Sequence, residues 1–422
     1  MARINVLADI AKGLKANVHA VDSLSPVSRV AVYVRAGSRY EPDHLPGIAH
    51  YIRASAGLTT SDSSKFGIVR HMERHGATFR ATSDREYIIY RVDCLRDKLG
   101  YVLSFIDDQI HKPEFRPWEL VDIVQPRLNE ELGRFKKNQS LVMNEAMHKT
   151  AFRGGLAHSA FIPDFQVEKF KKNDVLEYFE NNYVLDRMSF VGLSVDENEL
   201  RTTVEERFSL NGAEFKGVSG ATRYVSGEAR IQAGFPHTMV NFVVQGSPIS
   251  DLKSLAALNV ISSFIGNQVP VKYGLGAEKT LTKLMHTMSP SLTTSVVNLN
   301  YTDTGLFGFS ICGPNDVMKL ATSTAVKHLR QVLANINEND LKSAKKAAKV
   351  RSLIFSENHD AVFDAMGRRH AAGVVNQTPI DLVEKLTLKE VQTVANGLLK
   401  GKPTLVSVGN PRYVPCVDEL GA

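Results

Sequence analysis

The chain has little cysteine: three residues in 422, Cys94, Cys312 and Cys416, with no Cys-x-x-Cys spacing among them. That excludes a disulfide framework and a cysteine-based zinc site, and suits a reducing compartment. It also lacks any apolar run near the ~18 residues a membrane helix needs, so any association with a membrane has to be peripheral and carried by other chains. No Gly-x-Ser-x-Gly elbow surrounds any serine, which removes the usual sequence handle for a serine hydrolase. Charge of one sign is missing too. The formal net charge is +6, with 51 basic and 45 acidic residues spread along the chain, so there is no basic stripe to bind nucleic acid.

Hydrophobic residues make up 43% of the chain, and at 422 residues it exceeds the size at which one core keeps growing. Two or more domains are expected. The first twenty residues carry Arg3, Lys12, Lys15 and Asp9 and read as a strand pair, Ile4 to Leu7 and Asn17 to Val21 about a turn at Lys12-Gly13, rather than as an Arg-rich targeting helix. Val30 to Val34 is a β-branched strand. Ser64 to His75 reads as a helix stopped by Gly76, and Thr78 to Thr82 with Glu86 to Asp93 as a hairpin. Leu99, Val102, Leu103, Ile106 and Ile110 then form one apolar helical face. Pro117 opens a helix running to about Lys137, in the first turn, where its missing amide costs nothing. Helices over Ser140 to Phe152 and Lys172 to Asn181 and a strand over Met188 to Val195 close the first half.

The same order recurs in the second half. Thr238 to Val244 is followed by a helix over Asp251 to Ile265, a hairpin of Thr293 to Leu299 with Gly305 to Cys312, and helices over Asp316 to Leu333, Glu338 to Phe355, His359 to Gly373 and Leu388 to Leu399. A strand over Thr404 to Val408 ends the repeat. Cys94 and Cys312 are 218 residues apart, Phe190 and Thr404 214, a register expected of an internal duplication. The expected class is α+β: two tandem lobes, residues 1–210 and 228–422, each a largely antiparallel sheet covered by helices, joined by a Gly- and Ser-rich linker over 211–227.

The stretch that bears on chemistry is Gly47-Ile48-Ala49-His50-Tyr51-Ile52-Arg53-Ala54. A helix carrying His-x-x-Glu-His sets two imidazoles one turn apart, where both reach one zinc beside a carboxylate that activates the bound water. Here the first His is His50, the carboxylate position is Arg53 and the second ligand position is Ala54. One imidazole cannot hold a catalytic zinc. His71 and His75 repeat the four-residue spacing, but Glu73 sits two positions from His71, about 200° around the helix, and a surface helix is the simpler reading. Tyr273-Gly274-Leu275-Gly276-Ala277-Glu278-Lys279-Thr280 looks like a phosphate loop, but Glu278 replaces the glycine needed before Lys-Thr, and it is read as an ordinary loop.

The strand at Val30, the Ala36-Gly37-Ser38-Arg39-Tyr40-Glu41 turn and the Gly47-x-x-His50 helix together resemble the start of the inverted-zinc-motif peptidases, the family that includes the mitochondrial processing peptidase. Leu58-Thr59-Thr60, Ser64-Lys65-Phe66 and the closing Val417-Asp418-Glu419-Leu420 resemble one noncatalytic member of that family in particular. In active members a glutamate on the helix after the hairpin completes the metal site; Glu130 and Glu131 fall near that position, and without partners at 53 and 54 both are read as solvated helix charges. The departures at Arg53 and Ala54 are most similar to those of a noncatalytic member that is a structural subunit of a respiratory complex at the matrix side of the mitochondrial inner membrane. That resemblance implies no catalytic and no metal residues, His50, Arg53 and Ala54 being a degenerate zinc motif. It implies a sister chain of the same fold as partner, and haem and an iron–sulfur cluster held by other subunits, none by this chain. The alternative is the noncatalytic, substrate-recognising α subunit of the processing peptidase, which carries a dense glycine run where this chain has only dispersed glycines between Gly266 and Gly276.

Overall fold

The computed structural model describes residues 17–23, 25–208, 215–266, 281–374 and 382–421. The expected strand at Ile4 to Leu7, the turn at Lys12-Gly13, the loop from Tyr273 to Thr280 and residues 209–214 of the expected linker lie outside them. In chain order the described elements run β1 (Asn17–Val21), β2 (Val27–Val34), α1 (Ile48–Ala54), α2 (Lys65–Arg74), β3 (Thr78–Ser83), β4 (Ile88–Leu95), α3 (Leu99–His111), α4 (Gln125–Lys137), α5 (Gln139–Ala151), α6 (Lys172–Asn182), β5 (Met188–Leu193) and α7 (Glu197–Arg207). The second half continues with β6 (Gly227–Gln232), β7 (Thr238–Gly246), α8 (Leu252–Ile265), α9 (Leu281–Met288), β8 (Thr293–Asn300), β9 (Gly305–Gly313), α10 (Met318–Ala334), α11 (Glu338–Glu357), α12 (His359–Ala371), α13 (Leu388–Lys400) and β10 (Thr404–Gly409).

The two five-stranded sheets share one topology. The first runs β1-β5-β2-β4-β3 and the second β6-β10-β7-β9-β8. In each, the opening strand pairs in parallel with the closing one, β1 with β5 and β6 with β10, and the other pairings are antiparallel. The duplication read from the repeat of element types is therefore a repeat of strand order and direction. β1 lies where the sequence pattern put it, but its sheet partner among the described residues is β5. The sequence reading does not include α7, α9, β6, which starts at Gly227 where a linker was expected, or the short strands Phe152–Gly154 and Thr222–Tyr224, the latter inside the expected linker.

Alternation explains the packing of the first sheet. Val30, Val32 and Val34 of β2 point into a core with Ile88, Tyr90 and Val92 of β4 and the buried face of α3. Ala31 and Tyr33 point the other way, into a smaller cluster with Tyr87, Ile89, Val191 and, from α12, Phe363 and Ala371. The second face of this sheet thus also carries a helix. It comes from the other half of the chain, residues 363–371 clustering with the first unit. Gly367 permits it, since a Cβ there would lie 2.2 Å from the Tyr33 ring.

The second unit repeats the arrangement. Phe242, Phe307, Phe309 and Leu405 face a core built with α8, α10 and α13, while Asn241 on the opposite face donates to the Met147 sulfur of α5. Residues 136–153, from the first half of the chain, belong to this unit. His148 of α5 also hydrogen-bonds the Tyr301 hydroxyl at 2.6 Å.

Candidate functional site

α1 is short and almost wholly buried, with Ile48, Ala49, Tyr51, Ile52 and Ala54 in the core. Its first amides are satisfied by a carboxylate from the preceding turn: Glu41 accepts from Gly47 N–H at 2.8 Å and from Ala49 N–H at 2.9 Å. Burial raises the Glu41 carboxyl, against the lowering effect of those two bonds, to about 8. Gly47 has φ of 86° and its missing Cβ would lie 2.5 Å from Ile162 Cα. Only glycine lets the chain at Phe161-Ile162 come this close.

That approach decides the state of His50, which is 2% exposed. Ile162 N–H donates to His50 Nδ1 at 3.1 Å, so Nδ1 keeps its lone pair and the ring proton sits on Nε2. Nε2 donates to Glu131 Oε2 at 2.8 Å. The ring of Phe161 stands edge-on to the imidazole at 5.5 Å and is itself stacked on Phe135 at 4.5 Å.

Arg53, one turn along the same face, completes the cluster. Its Nη1 donates to Glu131 Oε1 at 2.9 Å and its Nη2 to Glu131 Oε2, a two-pronged fork. Burial pushes the Glu131 carboxyl up, but the hydrogen bonds from His50 and Arg53 and the Arg53 charge outweigh it and bring the group down to about 2. Glu131 is therefore not a solvated helix charge, as the sequence had suggested; that reading holds for Glu130, exposed and paired with Arg134 one turn on. The difference comes from the helix entrance. The expected helix from Pro117 to Lys137 is continuous but contains a π segment, Leu120–Val124. The extra residue in that turn rotates the remainder of the helix by about 100°, aiming 131 rather than 130 at α1.

Ala54 is fully buried and offers only a methyl group; its carbonyl accepts from Arg127 of α4. The second unit uses the same fastening without the cluster. Arg351 of α11 donates to Asn259 O at 2.8 Å and Ser262 Oγ at 2.7 Å on α8, a helix with no His or Glu. His71 and His75 lie apart from all this, flanking Tyr101: His71 Nδ1 meets the tyrosine hydroxyl at 2.9 Å and the His75 ring is 4.7 Å from the Tyr101 ring. Glu73 points into solvent.

The donor set at α1 does not fit a catalytic zinc. A metal-bound imidazole normally donates its second N–H to an acceptor, whereas the second nitrogen of His50 already accepts one, so Nε2 is protonated and has no lone pair to give. Position 54 has no ligand atom, and the position of the general base holds a guanidinium whose charge would repel a dication. What the arrangement does is fasten α1 to α4 through one carboxylate. Of the residues singled out from sequence, His50, Arg53 and Glu131 come together here, with Ala54 beside them; Glu41 and Ile162 were missed. Glu41 could have been found as the acidic residue ahead of a helix with no side-chain cap, whereas nothing in the sequence marks a backbone amide 112 residues from His50.

An α+β duplication with a short buried helix bearing Gly-x-x-His after the second strand, and a carboxylate reaching it from the helix past the hairpin, defines a peptidase-type lobe. Residues 18–164 match the family described as insulinase (peptidase family M16), and residues 169–348 match the peptidase M16 inactive domain. The chain belongs to the M16 peptidase family. Among named relatives it is similar to the mitochondrial cytochrome b-c1 complex subunit 2 of Homo sapiens, 29% identical over 413 residues, covering 96% of this chain and 89% of the relative. The same subunit of Yarrowia lipolytica is 27% identical over 414 residues, 97% of this chain and 95% of the relative. The mitochondrial-processing peptidase subunit alpha of Solanum tuberosum is 25% identical over 429 residues, 99% of this chain and 84% of the relative.

Proposed function

We propose that this chain is a noncatalytic structural subunit of the mitochondrial ubiquinol–cytochrome c reductase (cytochrome b-c1) complex, in the role of core protein 2, supporting electron transport from ubiquinol to cytochrome c. The observation that carries the reading is the Arg53–Glu131–His50 cluster: the residue that would activate water in a peptidase is a cation bound to the residue that would complete the metal site. End-to-end similarity to subunit 2 of the b-c1 complex in several organisms supports it. The processing-peptidase α subunit, matched at lower identity, is not favoured.

As an inactive peptidase homologue the chain binds no cofactor itself, haem and the iron–sulfur cluster belonging to partner subunits. Its partners in this reading are core protein 1, cytochrome b, cytochrome c1, the Rieske iron–sulfur protein and the small subunits. No helix among the described residues is long and apolar enough to cross a membrane, in keeping with a peripheral position on the matrix side of the inner membrane. The test is depletion. Assembled cytochrome b and quinol–cytochrome c reductase activity should fall while matrix presequences are still removed; accumulation of unprocessed precursors with the complex intact would overturn the assignment.

A further inference from the structure

We propose that the second unit contains a binding site for a medium-chain carboxylate, the alkyl chain in the cleft between α10, α13 and the sheet and the carboxylate at its cationic mouth. The site stands independently of the subunit assignment. The cleft has a volume of about 220 Å³. Its walls are apolar, with Phe242, Val244, Phe307, Leu333 and Leu398 among them; its charged lining residues are Lys400, Lys402 and Arg330, the last donating to the Gly421 carbonyl, and none of the described lining residues is acidic.

The duplicated fold shows that this space is not a requirement of the architecture. In the first unit the corresponding corner, between α3, α6 and β4, is filled by rings: Phe179 stacks on Tyr183 at 3.9 Å and meets Phe115 at 5.5 Å. In the second unit the end of α13 reads Leu398-Leu399-Lys400-Gly401-Lys402, without an aromatic ring, and these residues line the open cleft.

Apolar walls offer water few hydrogen bonds, so water there is readily displaced by an alkyl chain. At about 30 Å³ per water-sized group the cleft has room for roughly seven methylenes, the tail of octanoate. Lys400 and Lys402, with no carboxylate among the described lining residues, select the sign of the head group. A basic amphipathic peptide would be repelled from the same mouth.

The experiment titrates the full-length chain with carboxyl-labelled octanoate, following the label by NMR, with octanol and octylammonium as the uncharged and cationic counterparts. The expected result is saturable binding of one octanoate, weakened by salt, with octylammonium not competing. Lys400→Glu with Lys402→Glu should weaken octanoate about tenfold and leave octanol unchanged. Leu333→Trp should abolish binding of both by filling the cleft; if that variant does not fold, a contact between the octanoate tail and the Phe307 ring in the unaltered chain replaces it, and its absence counts against the site. Non-saturable uptake, equal affinity for octanoate and octylammonium, or indifference to the double charge reversal would overturn the proposal.

Discussion

Arg53 and Glu131 meet through two parallel hydrogen bonds, with Nη1 to Oε1 at 2.9 Å and Nη2 to Oε2, while the same Oε2 accepts from His50 Nε2. One carboxylate thus neutralises a guanidinium and fixes an imidazole tautomer at once. In a metallopeptidase the charge facing such a glutamate is supplied by the metal; here it is covalently part of α1.

The first consequence concerns metal. The isolated chain is expected to hold no stoichiometric zinc and to cleave no presequence, and Arg53→Glu with Ala54→His is expected not to bring back efficient cleavage, because Ile162 N–H still occupies His50 Nδ1. Elemental analysis and a presequence cleavage assay check both. One tightly held zinc per chain, lost on His50→Ala, would contradict the expectation.

A second expectation concerns acid stability. Glu131 is lowered from 4.5 to about 2 in the folded chain, so the unfolded chain takes up its proton first. The stabilisation is present above about pH 4.5 and is lost as pH falls towards 2. For this partly buried group its size is on the order of 2 kcal/mol. Denaturant titrations at a series of acid pH values should show a shallower acid limb for Glu131→Gln than for the unaltered chain; parallel limbs would show that the carboxylate is not responsible.

Glu41 should act in the opposite sense. Its carboxyl is raised from 4.5 to about 8 by burial, so the folded chain holds a proton that the unfolded chain has already lost. Stability contributed by the protonated form is fully present below about pH 4.5 and is lost as pH rises through 8. Glu41→Gln keeps the shape but gives up one of the two acceptors, which lowers stability at every pH; it removes the titration and should flatten the decline between these limits, as measured by denaturant midpoints at neutral and alkaline pH. A decline of unchanged steepness would assign it to another group.

Proteolysis addresses the division of the chain. With lobes taken as residues 1–210 and 228–422, limited proteolysis should cut first within 211–221, ahead of the strand residues Thr222–Tyr224. Residues 136–153 belong to the second unit and 363–371 to the first, so the two fragments should copurify after cutting and separate only in denaturant. Early cleavage inside β4 or β9, or free dissociation of native fragments, would count against this.

Much of the fold was legible in sequence because it is periodic. Buried strands such as Val30–Val34 and one-faced helices such as α3 carry their pattern locally, and the recurrence of element order revealed the duplication. α7, polar over most of its length with only Leu200 and Val204 buried, had no such pattern, and β6 hides among Gly, Ser and charged residues. At the site, the identities of residues 53 and 54 were enough to read a degenerate motif.

By itself the sequence determined the element order, the repeat and the loss of a second imidazole and a general base, since each is a matter of residue type at fixed local spacing. Only the tertiary structure decided that Glu131 rather than Glu130 faces α1, because a π turn sets the phase of the helix. It alone decided that His50 is a donor through Nε2, because a distant backbone amide takes Nδ1, and that each unit includes a helical segment from the other half of the chain. Helical phase past an irregular turn, tautomer and exchanged packing all depend on groups far apart in the chain, and chain spacing carries no record of them.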